Sequence, residues 1–175
     1  MKRAPWRIVI AVLVTVALVL LVQAAIAATT KSGGPIVKVK VVRGGDYLHV
    51  TSTSFVDVPG ATTKMKVPVG QQALLIMRLT AETSCVGGTV GSDWCEARIV
   101  VNGTEAEPSN SLDPITPFAI DSVSSDYAWE GHAMDRSLGP LSPGTYTVKV
   151  QARVTTSGVD LSLDDWHLTV ERVKV

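Results

Sequence analysis

From residue 30 onward the apolar residues of this chain fall at every second position, and that period decides what it can fold into. Val37, Val39 and Val41 alternate with Lys38 and Lys40, and Thr63, Met65, Val67 and Val69 alternate with Lys64 and Lys66. The longest run, Tyr146, Val148, Val150, Ala152 and Val154, alternates with Thr147, Lys149, Gln151 and Arg153. A period of two puts one set of side chains on each face of an extended strand, so these runs read as half-buried antiparallel strands. Ala73-Leu74-Leu75-Ile76-Met77 is apolar at both parities, the pattern of a central strand covered on both faces.

Turn chemistry punctuates these runs at Gly44-Gly45, Pro59-Gly60, Pro68-Val69-Gly70, Asn102-Gly103, Pro143-Gly144 and Ser157-Gly158. Asn and Gly both tolerate positive φ, so Asn102-Gly103 after Ala97-Arg98-Ile99-Val100-Val101 predicts a tight hairpin. Near the end the apolar parity changes. Leu161 and Leu163 are odd-numbered, Trp166, Leu168 and Val170 even-numbered, and a β-bulge at Asp164-Asp165 would reconcile them. No helical stretch longer than about two turns has periodicity or caps in this region. Roughly eight to ten strands between such turns make an all-β fold, an antiparallel β-sandwich of jelly-roll type. Residues 105–143, with Pro108, Pro114, Pro117 and Pro140, are less regular and read as long loops suited to function.

The first 28 residues follow another rule. Lys2, Arg3 and Arg7 precede an apolar run from Ile8 to Val22, then Gln23 and Ala24-Ala25-Ile26-Ala27-Ala28. A basic start, an apolar middle and an Ala-x-Ala site at Ala25 to Ala27 are the parts of a secretory signal, cleaved after Ala27. Residues 8–28, with only Thr15 and Gln23 polar, are also long enough for a retained membrane anchor helix. Charge on the N-terminal side places the remainder outside the membrane in both cases. The expected layout is a signal or anchor at 1–27, a linker at 28–34 and one domain at 35–175, extracytoplasmic throughout.

The chain has 16 basic and 16 acidic residues, and removal of Lys2, Arg3 and Arg7 with no acid leaves 13 basic residues. A slightly acidic domain without a Lys/Arg cluster argues against nucleic acid as a partner. Solvated strand faces account for Lys38, Lys40, Lys64 and Lys66 better than a phosphate-binding patch does. Both cysteines, Cys85 and Cys95, follow the signal, so an oxidising compartment favours a disulfide between them across a short Gly-rich loop.

No catalytic constellation is recognisable. His49, His132 and His167 form no H-x-x-x-H, and no serine sits in G-x-S-x-G. Glu130-Gly131-His132 and Asp165-Trp166-His167 each put an acid and a histidine on one strand face, and would converge if their strands were neighbours. No cofactor is implied. Calcium stays unassigned, with Asp113, Asp121, Asp126, Asp164 and Asp165 on offer but no D-x-D-x-D-G loop.

Aromatic residues are only 5% of the chain, so their grouping carries weight. Tyr127-Ala128-Trp129 puts two rings on one face of a strand, beside Glu130, His132 and Asp135. Trp94, in the Gly-rich loop next to Cys95, is expected to be exposed. Flat apolar rings next to hydrogen-bonding groups suit a pyranose, whose faces are apolar and whose edges are polar. Tyr127, Trp129, Glu130, His132 and Trp94 are therefore the candidate ligand-binding residues, for a carbohydrate or cell-envelope polymer. Trp129 and Trp166 also have the bulk to anchor a core.

Residues 129–137, Trp-Glu-Gly-His-Ala-Met-Asp-Arg-Ser, together with Leu141-Ser142-Pro143-Gly144-Thr145-Tyr146-Thr147-Val148 and Asp164-Asp165-Trp166-His167-Leu168-Thr169-Val170, carry a resemblance. They look like a group of secreted bacterial jelly-roll proteins. The Leu-x-Pro-Gly-x-Tyr-x-Val stretch also resembles the late hairpin of the complement globular-head and tumour-necrosis-factor jelly rolls. Those families form trimers and bind proteins, so the resemblance implies an alternative: a protein-interaction or self-associating module without catalytic activity.

Overall fold

The computed structural model describes residues 30–109 and 119–175; the N-terminal signal or anchor, Asp113, Pro114, Pro117 and Phe118 lie outside the described residues. The described residues of 33–175 form one unit with ten strands among them: β1 (Ile36–Gly44), β2 (Leu48–Val50), β3 (Val56–Val67), β4 (Ala73–Val86), β5 (Trp94–Val101), β6 (Thr104–Glu105), β7 (Ala119–Ser122), β8 (Glu130–Leu141), β9 (Gly144–Val154) and β10 (Asp160–Lys174). No helix occurs among the described residues.

The strands make two antiparallel sheets packed as a sandwich. Sheet A has the order β1-β10-β4-β8, with β2 also on β10, and sheet B the order β3-β9-β5-β6, with β7 also on β5. Successive long strands alternate between sheets, so the long connections pass over an end of the sandwich; the β5–β6 hairpin stays within sheet B. Its turn is Asn102-Gly103, both at positive φ (49° and 86°), as the sequence predicts.

Alternation builds the core. On sheet A, Met77, Leu79, Leu161, Leu163, Leu168 and Val170 point inward and are buried. On sheet B, Met65, Ile99, Val101, Val148, Val150, Ala152 and Val154 meet them. Each fully buried aliphatic side chain of this size contributes about 1.5–3 kcal/mol of transfer free energy. The parity change in β10 is a bulge: Asp164 pairs with Glu82 and His167 with Thr80, so Asp165 and Trp166 share the space opposite Ala81. Asp165 takes φ 42°, and Trp166 turns into the core. Gly44 makes room for it, since a Cβ there would lie 2.6 Å from the indole.

Cys85 and Cys95 are bonded, with Cα atoms 6.0 Å apart. Cys85 is on β4 and Cys95 on β5, so the bridge ties the two sheets together as well as closing the loop.

Three expectations need correction. Val37, Val39 and Val41 face solvent, while Lys38 and Lys40 take the inward parity. The valines belong to an edge strand with a register shift near Ile36, and inward lysines on an edge strand discourage pairing with other chains. Pro59-Gly60 is a bulge within β3, not a turn: the register with β9 shifts between Asp57 and Thr62, and an edge strand tolerates a missing N–H. Within 105–143, Glu130–Leu141 form a twelve-residue strand that includes Pro140, placed where β8 is an edge.

Candidate functional site

The outer face of sheet A carries an aromatic group at one end. Ser162 on β10 pairs with His49 on β2 and with Ser84 on β4. Leu161 and Leu163 on either side point into the core, so these three residues face outward. Tyr47 precedes β2 and lies over this row, its hydroxyl 2.9 Å from Ser162 Oγ. Trp129, just before β8, reaches Tyr47 from the other side, with ring centroids 5.6 Å apart and planes tilted by 57°. The His49 ring stands edge-on to Tyr47 at 4.5 Å. The platform thus spans the four strands β2, β10, β4 and β8, about 14 Å of sheet.

Both rings are accessible: Tyr47 is 52% and Trp129 45% exposed, and nearby in sequence Tyr127 is 81% exposed. Polar groups edge the platform. His49 Nδ1 contacts both carboxylate oxygens of Asp160 (3.0 and 2.9 Å), and Glu82 and Asp164 pair on the same outward parity. Ser84 Oγ is buried and makes no hydrogen bond with the described residues. A flat apolar surface edged by carboxylates and a histidine can hold a ligand with one apolar face and a polar rim.

The candidates from sequence separate in space. Tyr127 and Ala128 are in a connection, not a strand, and only Trp129 joins the platform. Glu130 and His132 take the opposite parity and look between the sheets, whereas Asp135 faces outward and pairs with Arg78 at 2.7 Å. Trp94 is half-buried, not exposed: it opens β5, its N–H donates to Thr155 Oγ1 at 3.0 Å, and its backbone pairs with Ser122. Trp166 is buried, so the two tryptophans weighed as core anchors have different roles. Asp165 and His167 stay apart from Glu130 and His132; β4 lies between their strands. Tyr47 and His49 were missed. Their signal was two rings at i, i+2 just after Gly44-Gly45, obscured by the shortness of β2.

At the open flank between β7 and β8, Thr83 Oγ1 lies 2.8 Å from both Asp121 Oδ2 and His132 Nδ1. His132 Nε2 faces Glu130 Oε2 at 3.5 Å. Asp121, Glu130 and His132 can each offer an atom within 4.8 Å of the others.

The opposite flank, between β1 and β3, is a cleft of about 370 Å³ whose charged lining is entirely cationic: Lys38, Lys40, Lys64, Lys66 and Arg172. On the outer face of sheet B, the guanidinium groups of Arg98 and Arg153 both pack on the Phe55 ring, 3.9 and 4.5 Å from its centroid. Below it, buried Glu96 accepts from Arg153 Nε; burial raises its pKa above the ordinary glutamate value, against the lowering effect of Arg153.

Fold and surface together define a class: a two-sheeted antiparallel β-sandwich with a disulfide between its sheets and an exposed aromatic platform. No protein-family model matches the chain, and no curated protein matches it. Among solved structures, a chain of dimeric latent PorU from Porphyromonas gingivalis is similar, with a TM-score of 0.34 and 14% identity over 84% of this chain. The match spans 14% of the PorU chain.

Proposed function

We propose that the domain is an extracytoplasmic, non-catalytic binding module of jelly-roll type, whose outer sheet A face recognises carbohydrate or a cell-envelope polymer. The observation that carries this is the accessible Tyr47–Trp129 pair, held beside the His49–Asp160 pair over the outer face of sheet A. Tyr47 is held by its hydroxyl on Ser162 and Trp129 packs against it, so less conformational entropy is lost when a sugar stacks on them than for free rings. The strand orders β1-β10-β4-β8 and β3-β9-β5-β7 support the jelly-roll assignment. The Cys85–Cys95 bridge favours an oxidising compartment, in keeping with export by the N-terminal segment.

The alternative of a self-associating module needs an apolar face for a second copy. Along β9 the apolar side chains Val148, Val150, Ala152 and Val154 are taken up by the core, and the other face carries Thr147, Lys149, Gln151 and Arg153. β9 therefore offers a second copy no apolar face; the exposed apolar row is the narrow one of Val37, Val39 and Val41 on the edge strand β1, and the aromatic platform favours ligand recognition.

Tryptophan fluorescence of the purified protein, titrated with soluble polysaccharides and envelope fragments, tests the reading. The expected result is a saturable change that Trp129→Ala and Tyr47→Ala each weaken about tenfold or more, equivalent to about 1.4 kcal/mol. Binding that survives both substitutions, or no binding across the panel, overturns it.

A further inference from the structure

We propose that Asp121, Glu130 and His132 form a binding site for a divalent transition-metal ion of the zinc type, on the flank between β7 and β8. This goes beyond the sugar reading, because these residues lie on the opposite side of β8 from the outward-facing platform.

The case starts from counting protons. Thr83 is fully buried and its hydroxyl has a single proton, which it donates to Asp121 Oδ2 at 2.8 Å. Its contact with His132 Nδ1, also 2.8 Å, must then run the other way, with Nδ1–H donating to the Thr83 oxygen. In the neutral imidazole this leaves the lone pair on Nε2. That lone pair faces the carboxylate of Glu130, where two acceptors repel unless a cation stands between them.

The spacing fits a metal better than a proton. A charge-assisted N–H···O bond is about 2.7–2.9 Å long, and Nε2 and Glu130 Oε2 are 3.5 Å apart. Two ligands each about 2.0–2.1 Å from a tetrahedral ion lie about 3.3–3.4 Å from one another. Asp121 can supply the third ligand, an oxygen within 4.8 Å of the other two, through a lone pair left on a carboxylate that accepts from Thr83 Oγ1 at Oδ2 and from the Ser122 N–H at Oδ1, and solvent the fourth. The arrangement Asp121–Thr83–His132 is also what a metal-binding histidine needs behind it: a partner for the second ring nitrogen that fixes tautomer and orientation.

Architecture holds the parts in place. Asp121 comes from sheet B and Glu130 and His132 from sheet A; Asp121 pairs with Cys95, and Thr83 is two residues from Cys85. The disulfide therefore fixes the distance between the two halves of the site. Imidazole with two carboxylates selects zinc, copper or nickel over calcium, which takes oxygen ligands.

The test uses the purified protein after chelation, titrated with Zn²⁺, with Ca²⁺ as control, by calorimetry and by the imidazole NMR signals of all three histidines. One Zn²⁺ should bind and shift the His132 signals. His132→Gln and Glu130→Gln should each weaken binding about tenfold or more, and Thr83→Val, which keeps shape but removes the hydroxyl, about tenfold. The NMR readout on the unsubstituted protein stands even if a variant fails to fold. Absence of one-to-one Zn²⁺ binding, a shift confined to His49 or His167, or equal affinity for Ca²⁺ overturns the proposal.

Discussion

The two flanks of the sandwich solve the same problem in opposite ways. Each is a seam where the sheets part and inward-pointing side chains are no longer covered. Between β1 and β3 the seam collects cations, Lys38, Lys40 and Arg172 at the inward parity of sheet A and Lys64 and Lys66 from the outward parity of β3, and near it the Trp166 ring packs against Gly44 and Gly60. Between β7 and β8 it collects Asp121, Glu130 and His132, and a covalent bridge one strand further in joins the sheets. One flank is held by packing, the other by a bond. In both, inward parity at an edge means facing a seam, not being buried.

The sharpest way to break the packed flank is Trp166→Ala. Loss of this buried ring should cost about 3–5 kcal/mol, read as a fall in thermal or denaturant midpoint, whereas Trp129→Ala on the surface should cost about 0.5 kcal/mol or less. Equal costs would mean the two rings are not differently placed. Cys85→Ser with Cys95→Ser should cost about 2–3 kcal/mol, the loop-closure contribution, and hydrogen exchange should quicken around Thr83 and Asp121 more than around Lys64. Uniform quickening would mean the bond does not hold one flank in particular.

A smaller effect concerns Glu96 on β5, next to Ala119 of β7. Its folded pKa is raised, chiefly by burial, so the folded state binds its proton more tightly than the unfolded chain. The resulting stabilisation is complete below the unfolded value, about 4.3, and is lost as pH rises through the higher folded value. Stability of the Glu96→Gln variant should lack this component, so the difference between the two proteins should change across that window; a difference independent of pH would refute it. The smallest effect is expected at the cationic flank. Lys64→Gln with Lys66→Gln should stabilise by about 0.5 kcal/mol or less at low ionic strength by relieving repulsion, with the gain vanishing in high salt. A gain that persists in high salt would point to packing instead.

Much of the fold was legible in the sequence because period two and turn chemistry are local. The β9 alternation, the Asn102-Gly103 hairpin, the apolar centre of β4, the bulge at Asp164-Asp165 and the Cys85–Cys95 bridge, whose cysteines are ten residues apart, all involve near neighbours in the chain. What local pattern could not carry was position in the sheet. The alternation of Val37, Val39 and Val41 reads the same at an edge as in the centre, yet at an edge it turned the valines outward. The site depended on pairing across long stretches of chain: Tyr47 meets Trp129 only once β2, β10, β4 and β8 are joined in one sheet, across whose outer face the two rings reach each other, and Asp121 approaches His132 because β7 and β8 face each other across the seam. Trp94 was misjudged because pairing with β7 covers part of what a Gly-rich loop alone would expose.

The bulge at Asp165 makes the last strand readable in two frames. Before it odd positions face the core, after it even ones do, and a single residue standing off the ladder keeps both stretches in register with β4. Such a residue is a tolerated frameshift. Its removal would merge the two frames without turning any apolar side chain to solvent, whereas one residue added between Trp166 and Leu168 would send Leu168, Val170 and all that follows to the wrong face. The strand's tolerance for change in length is thus concentrated at one aspartate.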